Sequence, residues 1–148
     1  MHEAIKEAQV AYNKNEVPVG CIIVDRLSGA IVSRAHNSMQ QNCNPNYHAE
    51  LIAINNACLQ LTNKNLLNCD IYVTLEPCTM CASAISNARL GRLYYGASDQ
   101  KQGAIEHGIR FFTSSNCFYR PEIYSGLHME ECEAIIKTFF SKIRKNKL

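Results

Sequence analysis

The sequence predicts a three-layer α/β/α domain built on a central mixed sheet of about five strands, and three observations carry that expectation. Short β-prone runs alternate with stretches of helical periodicity, the pattern of a sheet covered by helices on both faces. The first two strand runs are separated only by a turn and pair as a hairpin, whereas later ones are separated by helix-length segments that allow crossovers. Finally, 148 residues, 47% of them hydrophobic, suit one core, so residues 1–148 are expected to form a single domain.

Ala4, Ile5, Ala8, Ala11 and Tyr12 recur at helical spacing, giving a first helix that ends near Asn13-Lys14-Asn15. The apolar run from Val19 to Val24 is a buried strand, Ser28-Gly29 supplies the turn, and Ala30-Ile31-Val32-Ser33 returns beside it. A polar loop spans Asn37 to Tyr47. The next helix carries Leu51, Ile52, Ile54, Ala57, Cys58 and Leu61 on its apolar side. Ile71-Tyr72-Val73-Thr74-Leu75 is rich in the branched and aromatic residues that favour strands. Pro77 then opens a third helix, where its missing N–H costs nothing. Leu93-Tyr94-Tyr95-Gly96-Ala97 is a further strand, Ser98 to Gly126 is rich in loops, and Cys132, Ile135, Ile136, Phe139, Phe140 and Ile143 mark a last amphipathic helix.

Composition narrows the function classes. No apolar run approaches the length that spans a bilayer, and the charged, amphipathic start from Met1 to Glu7 is unlike a secretory signal, so a cytoplasmic location is expected. Eight cysteines in such a protein read as buried apolar residues plus metal ligands, not as a disulfide framework. The net charge of +2 does not by itself argue for nucleic acid.

The chemistry lies in His48-Ala49-Glu50 followed by Pro77-Cys78-Thr79-Met80-Cys81. One imidazole and two thiols make three zinc ligands, which leaves one tetrahedral position for water, the mark of a catalytic site. Glu50, two residues from His48, is not needed as a ligand and is placed to shuttle protons for that water. Cys78 and Cys81 at i and i+3 share one face of a helix start, where free N–H groups favour thiolates. Histidine-x-glutamate with proline-cysteine-x-x-cysteine is the known signature of zinc-dependent nucleobase deaminases. Either half alone is weak, since a bare Cys-x-x-Cys is as often a structural or redox pair. Cys69, at the far end of the strand leading to Cys78, is expected to lie away from the site, whereas Cys43 in the polar loop could close it as a fourth ligand.

Glu16-Val17-Pro18-Val19-Gly20, His36-Asn37, the two metal segments with Thr74-Leu75-Glu76, and Gly96-Ala97-Ser98-Asp99-Gln100-Lys101-Gln102-Gly103-Ala104 together resemble the bacterial tRNA-specific adenosine deaminases. The likeness runs from Glu16 to the last helix, and the first and last of these segments point to the adenosine branch of the cytidine deaminase superfamily. The resemblance implies a homodimer with the cytidine deaminase-like fold that converts the wobble adenosine of a tRNA anticodon loop to inosine. By position it implies that His48, Cys78 and Cys81 hold one zinc ion and that Glu50 carries protons. It further implies that Asn37 bonds the extruded base, that the Ala49 N–H steadies the forming oxygen, and that Val17 and Pro18 border the pocket. Asp99 and Lys101 would meet the flanking nucleotides, and Arg120 matches an arginine of the family. The chain departs from the family at Phe118-Tyr119-Arg120-Pro121 and at Ile109-Arg110-Phe111-Phe112, where contacts cannot be copied.

Two further features bear on RNA. Lys137, Lys142, Arg144, Lys145 and Lys147 face no acid after Glu133; helix-dipole complementation explains part of this, and phosphate contacts the excess. Phe111, Phe112, Phe118, Tyr119 and Tyr124, near Arg110 and Arg120, read as local core or subunit interface, with base stacking as the other use. His2, His36, His107 and His128 carry no chemistry legible in the sequence. Two rival functions remain open: deamination of a free base or nucleoside such as guanine, cytosine or cytidine at the same zinc, and a non-catalytic zinc-stabilised RNA-binding module.

Overall fold

In a computed structural model, residues 1–146 are described. The elements are α1 (His2–Asn13), β1 (Gly20–Asp25), β2 (Ile31–His36), α2 (Ala49–Leu61), β3 (Cys69–Leu75), α3 (Thr79–Asn87), β4 (Arg92–Ala97), a 3₁₀ turn (Phe111–Thr113), β5 (Glu122–Tyr124) and α4 (Met129–Asn146). The five strands form one sheet in the order β2-β1-β3-β4-β5. β1 runs antiparallel to both β2 and β3, while β3–β4 and β4–β5 are parallel, so the sheet is mixed as expected.

Helices cover both faces. α2 packs on β1, β2 and α3, and α1 packs on β1, β2, β3 and α4, which also lies on β4. Strand alternation explains the division. Cys21, Ile23, Ile71, Val73, Leu93 and Tyr95 point to one face and form a core with Ala53, Ala57, Ala82 and Ile85. Full burial of side chains the size of isoleucine or leucine contributes about 1.5–3 kcal/mol each, so this layer is a large part of what holds the fold together. On the opposite face Gly20 meets α1: a Cβ there would fall 2.8 Å from Glu7 Cβ and closer still to the Ala4 carbonyl oxygen. That approach is possible because the buried side of α1 is Ala4, Ala8 and Ala11.

Two local expectations need correction. The buried stripe of α2 is Ala49, Glu50, Ala53, Ile54 and Ala57, with Leu51, Ile52 and Cys58 only half-buried and Leu61 exposed. Small residues face the sheet because the helix lies close to it. Pro77 does not open α3; Cys78 is the N-cap and Thr79 the first helical residue. The aromatic residues of the late loops divide: Phe112 is buried against Phe111 as the local-core reading expects, whereas Phe118 is 97% exposed and Tyr124 stacks on Tyr94 at the sheet edge.

Candidate active site

Strand directions bring the distant motifs together. β1 begins where β2 ends (Gly20 opposite His36), and β3 ends at that same edge (Cys21 opposite Val73), beside the end of β4 (Leu75 opposite Ala97). Val17–Val19, Asn37, Glu76–Cys78 and Ser98–Gln102 therefore emerge from one end of the sheet. The helices that follow β2 and β3 start there as well.

His48 and Cys78 are both N-cap residues, of α2 and α3, with extended backbones (ψ 147° and 175°), and neither side chain caps its own helix. Both are instead turned toward a common point. His48 Nδ1 lies 3.7 Å from Cys78 Sγ and 3.5 Å from Cys81 Sγ. Zinc holds nitrogen at about 2.0–2.1 Å and sulfur at about 2.3 Å, so a shared tetrahedral ion places the two atoms about 3.6 Å apart. The donor set and its spacing fit zinc. Neither Cys43, which is exposed, nor Cys69, buried at the start of β3, belongs to this group, which leaves three protein ligands among the described residues.

The electrostatics agree with a metal-ready site. The hydrogen bond from the Cys81 thiol and the one from His48 hold the Cys78 thiol down at about 4. His48 is raised by its bond to Cys78. The Cys81 thiol is pushed far up by its bond to the Cys78 sulfur and by burial, so without a cation the pair keeps one proton. Glu50 is buried, and desolvation lifts its carboxyl to about 7 against the pull of His48. Its place beside the metal group, inside the cavity, suits it to take and return protons.

These groups open into a cavity of about 910 Å³ whose lining includes Val17, Asn37, His48, Glu50, Cys78, Asp99 and Lys101. The pattern that defines the cytidine and deoxycytidylate deaminase zinc-binding region matches residues 1–97. The chain belongs to this family of zinc-binding deaminases. A tRNA-specific adenosine deaminase of Rickettsia felis is 56% identical over 144 residues, covering 97% of this chain and 100% of that one. A solved structure from a study of A-to-I editing by tRNA:A34 deaminases superposes with a TM-score of 0.88 at 45% identity, covering 91% of this chain and 96% of that one. A guanine deaminase from Nitrosomonas europaea shares the fold at 15% identity, with a TM-score of 0.80 and coverage of 93% and 81%.

The deaminase departs from the sequence expectations at three residues. The Ala49 N–H donates to Asn37 Oδ1 at 2.8 Å, so two groups expected to touch the substrate separately are bonded to each other. Pro18 is fully buried and does not line the cavity, although Val17 does. Arg120 lies outside it: parallel pairing of Glu122 with Arg92 places the segment before β5 at the start of β4, the sheet end away from the metal group.

Sequence reasoning singles out Lys137 and Arg144 for phosphate contacts but misses that they belong to a cavity wall with other residues. Ile136, Lys137, Phe140, Ser141 and Arg144 form a wall from α4, with Phe140 half-open to solvent rather than in the core. Glu76 is buried beside them, and its carboxylate accepts five bonds from residues 99–107. Burial alone would raise it, but the N–H groups of Asp99, Glu106 and His107 and the His107 ring hold it below the ordinary range. His107 is the ring partner in that knot, and His36 pairs with Glu7 at 2.9 Å. The exposed His2, His128 and Glu131 form a second close group, remote in sequence from the deaminase motifs.

Proposed function

We propose that this protein, acting as one domain over residues 1–148, converts the wobble adenosine of a tRNA anticodon loop to inosine by hydrolysis. The observation that carries the reading is one cavity holding a three-ligand metal group, a buried carboxylate and a cationic rim. His48, Cys78 and Cys81 are its zinc ligands. Zinc bound there supplies Lewis acidity that makes a water nucleophilic at neutral pH.

Glu50 takes one proton from the attacking water and delivers it to N1 of the base as oxygen adds at C6. It then moves the second proton to the departing amine, ammonia leaves, and the C6–O bond becomes the carbonyl of inosine. Asn37, its oxygen engaged by Ala49, offers its amide NH₂ to the base. Val17 borders the base, and Asp99 and Lys101 meet the flanking nucleotides; Ala49 acts through Asn37, and Arg120 has no part at the cavity. Lys137 and Arg144 extend the cationic rim along α4, where phosphates gain affinity by releasing counterions. Lys142 and Lys145 continue that face beyond the cavity, and Lys147 lies outside the described residues.

The solved tRNA:A34 deaminase and the relatives named tRNA-specific adenosine deaminases support this substrate. The protein is read further as a homodimer, as its resemblance to the tRNA-specific adenosine deaminases implies; Ile109 and Phe118, with apolar side chains in solvent, are candidates for the covered surface. A tRNA substrate places it in the cytoplasm. Among the described residues no helix is long and apolar enough to cross a membrane.

The test compares ammonia release from an anticodon stem-loop RNA with release from free adenosine, guanine and cytosine. The stem-loop is expected to react and the free compounds to lag; the opposite preference, with the stem-loop inert, would reject the tRNA reading. Glu50→Gln should lower turnover by about 10²–10⁴-fold while zinc stays near one per chain. Activity that survives this change would remove Glu50 from the mechanism. No turnover in the wild type on any of these compounds, or on cytidine, would leave the non-catalytic RNA-binding module.

A further inference from the structure

The segment from Asp99 to His107 is irregular, yet it carries Asp99 and Lys101 into the cavity wall. Two kinds of interaction fix it. The first is a backbone seam against the residues around a metal ligand: Cys78 and Gly103 form an isolated antiparallel bridge, and the Ala104 N–H donates to the Pro77 carbonyl at 2.9 Å. The second is the Glu76 side chain, which has no exposed surface. Its Oε1 accepts the N–H groups of Ile105, Glu106 and His107 at 3.1, 2.9 and 3.1 Å, and its Oε2 accepts the Asp99 N–H at 2.9 Å and the His107 ring at 2.8 Å.

Every donor to this carboxylate comes from the wall segment, and Glu76 itself lies two residues before Cys78. Gly103 completes the arrangement, because a Cβ there would fall 2.7 Å from Glu76 Oε2 and closer still to the Asp99 carbonyl oxygen. A buried carboxylate is costly unless its lone pairs are engaged, so retaining one here ties the wall to the metal segment in a single geometry. An amide at this position could accept with one atom only; its NH₂ would confront N–H donors.

We propose that Glu76 is a positioning residue that sets the distance between the metal centre and the Asp99–Lys101 wall, and so sets how tightly the nucleotides flanking the target are held. It touches neither the base nor the reacting atoms. The inference rests on the RNA reading above for what the wall grips, but not for what Glu76 holds.

Two variants test it, Glu76→Gln and Gly103→Ala, each compared with the wild type for zinc content, steady-state kinetics on the anticodon stem-loop and amide hydrogen exchange. Both should keep one zinc per chain. The amides of Asp99 and residues 105–107 should lose protection while those of β3 keep theirs. KM for the stem-loop should rise about 10-fold or more, with kcat changed by less than about 3-fold, and Glu76→Asp should recover part of the loss. Equal loss in kcat with KM unchanged would overturn the proposal, as would loss of zinc or unaltered exchange at 99 and 105–107. If the wild type instead ignores the stem-loop and deaminates a free base, the tRNA reading fails by itself. In that case exchange decides whether Glu76 holds the wall, and an unchanged KM for the base agrees with a wall that grips only flanking nucleotides.

Discussion

In the proposed reaction Asn37 serves the fold and the chemistry together. Its Oδ1 satisfies the Ala49 N–H at the first turn of α2, one of the donors that a helix start leaves without a partner. Asn37→Ala leaves that buried N–H unpaired, a loss of about 1–3 kcal/mol. Asn37→Asp keeps an acceptor for Ala49 but removes the NH₂ offered to the base. Thermal unfolding should therefore show Asn37→Asp close to the wild type and Asn37→Ala destabilised, while both lose stem-loop turnover. Full activity in Asn37→Asp would confine the residue to its structural role. His48, Glu50, Cys78 and Cys81 are legible from spacing because each pair sits within one helix start, where sequence separation sets distance. The Asn37–Ala49 bond and the Glu76 knot join residues 12 and 23 or more positions apart, and no local pattern encodes them.

At the scale of elements, α4 is the informative case. Its apolar spacing marks an amphipathic helix, and Cys132 and Phe139 are buried as that spacing requires. Spacing does not show that the flank beside the buried stripe, from Ile136 to Arg144, faces the cavity rather than solvent. Charge on a helix surface looks the same in sequence whether it meets water or phosphate. Lys137→Glu with Arg144→Glu should raise KM for the stem-loop and flatten its salt dependence, by about 0.7–0.9 in log–log slope for each phosphate no longer neutralised. Parallel salt curves for variant and wild type would make this wall a solvated face. The correction at Arg120 has the same origin, since the strand pairing that carries it away from the cavity is a long-range fact.

For the whole molecule, the sheet order does the assembling. The alternation of strand and helix is readable along the chain, and with it the layered architecture and the hairpin. The three-residue β5 is harder to place because its burial pattern is uniformly exposed and gives no alternation to read. With β1 antiparallel to β3 and β4 parallel to it, segments from four parts of the chain reach one sheet end, and the metal group forms between two helix starts. The proposed mechanism requires that three side chains and no more hold the ion, and that a fourth position stays open for water. Zinc K-edge absorption on freshly purified, untagged protein reads this directly. Two sulfurs at about 2.3 Å are expected, with one nitrogen and one further light atom at about 2.0–2.1 Å. A third sulfur, or no zinc bound at all, would contradict it.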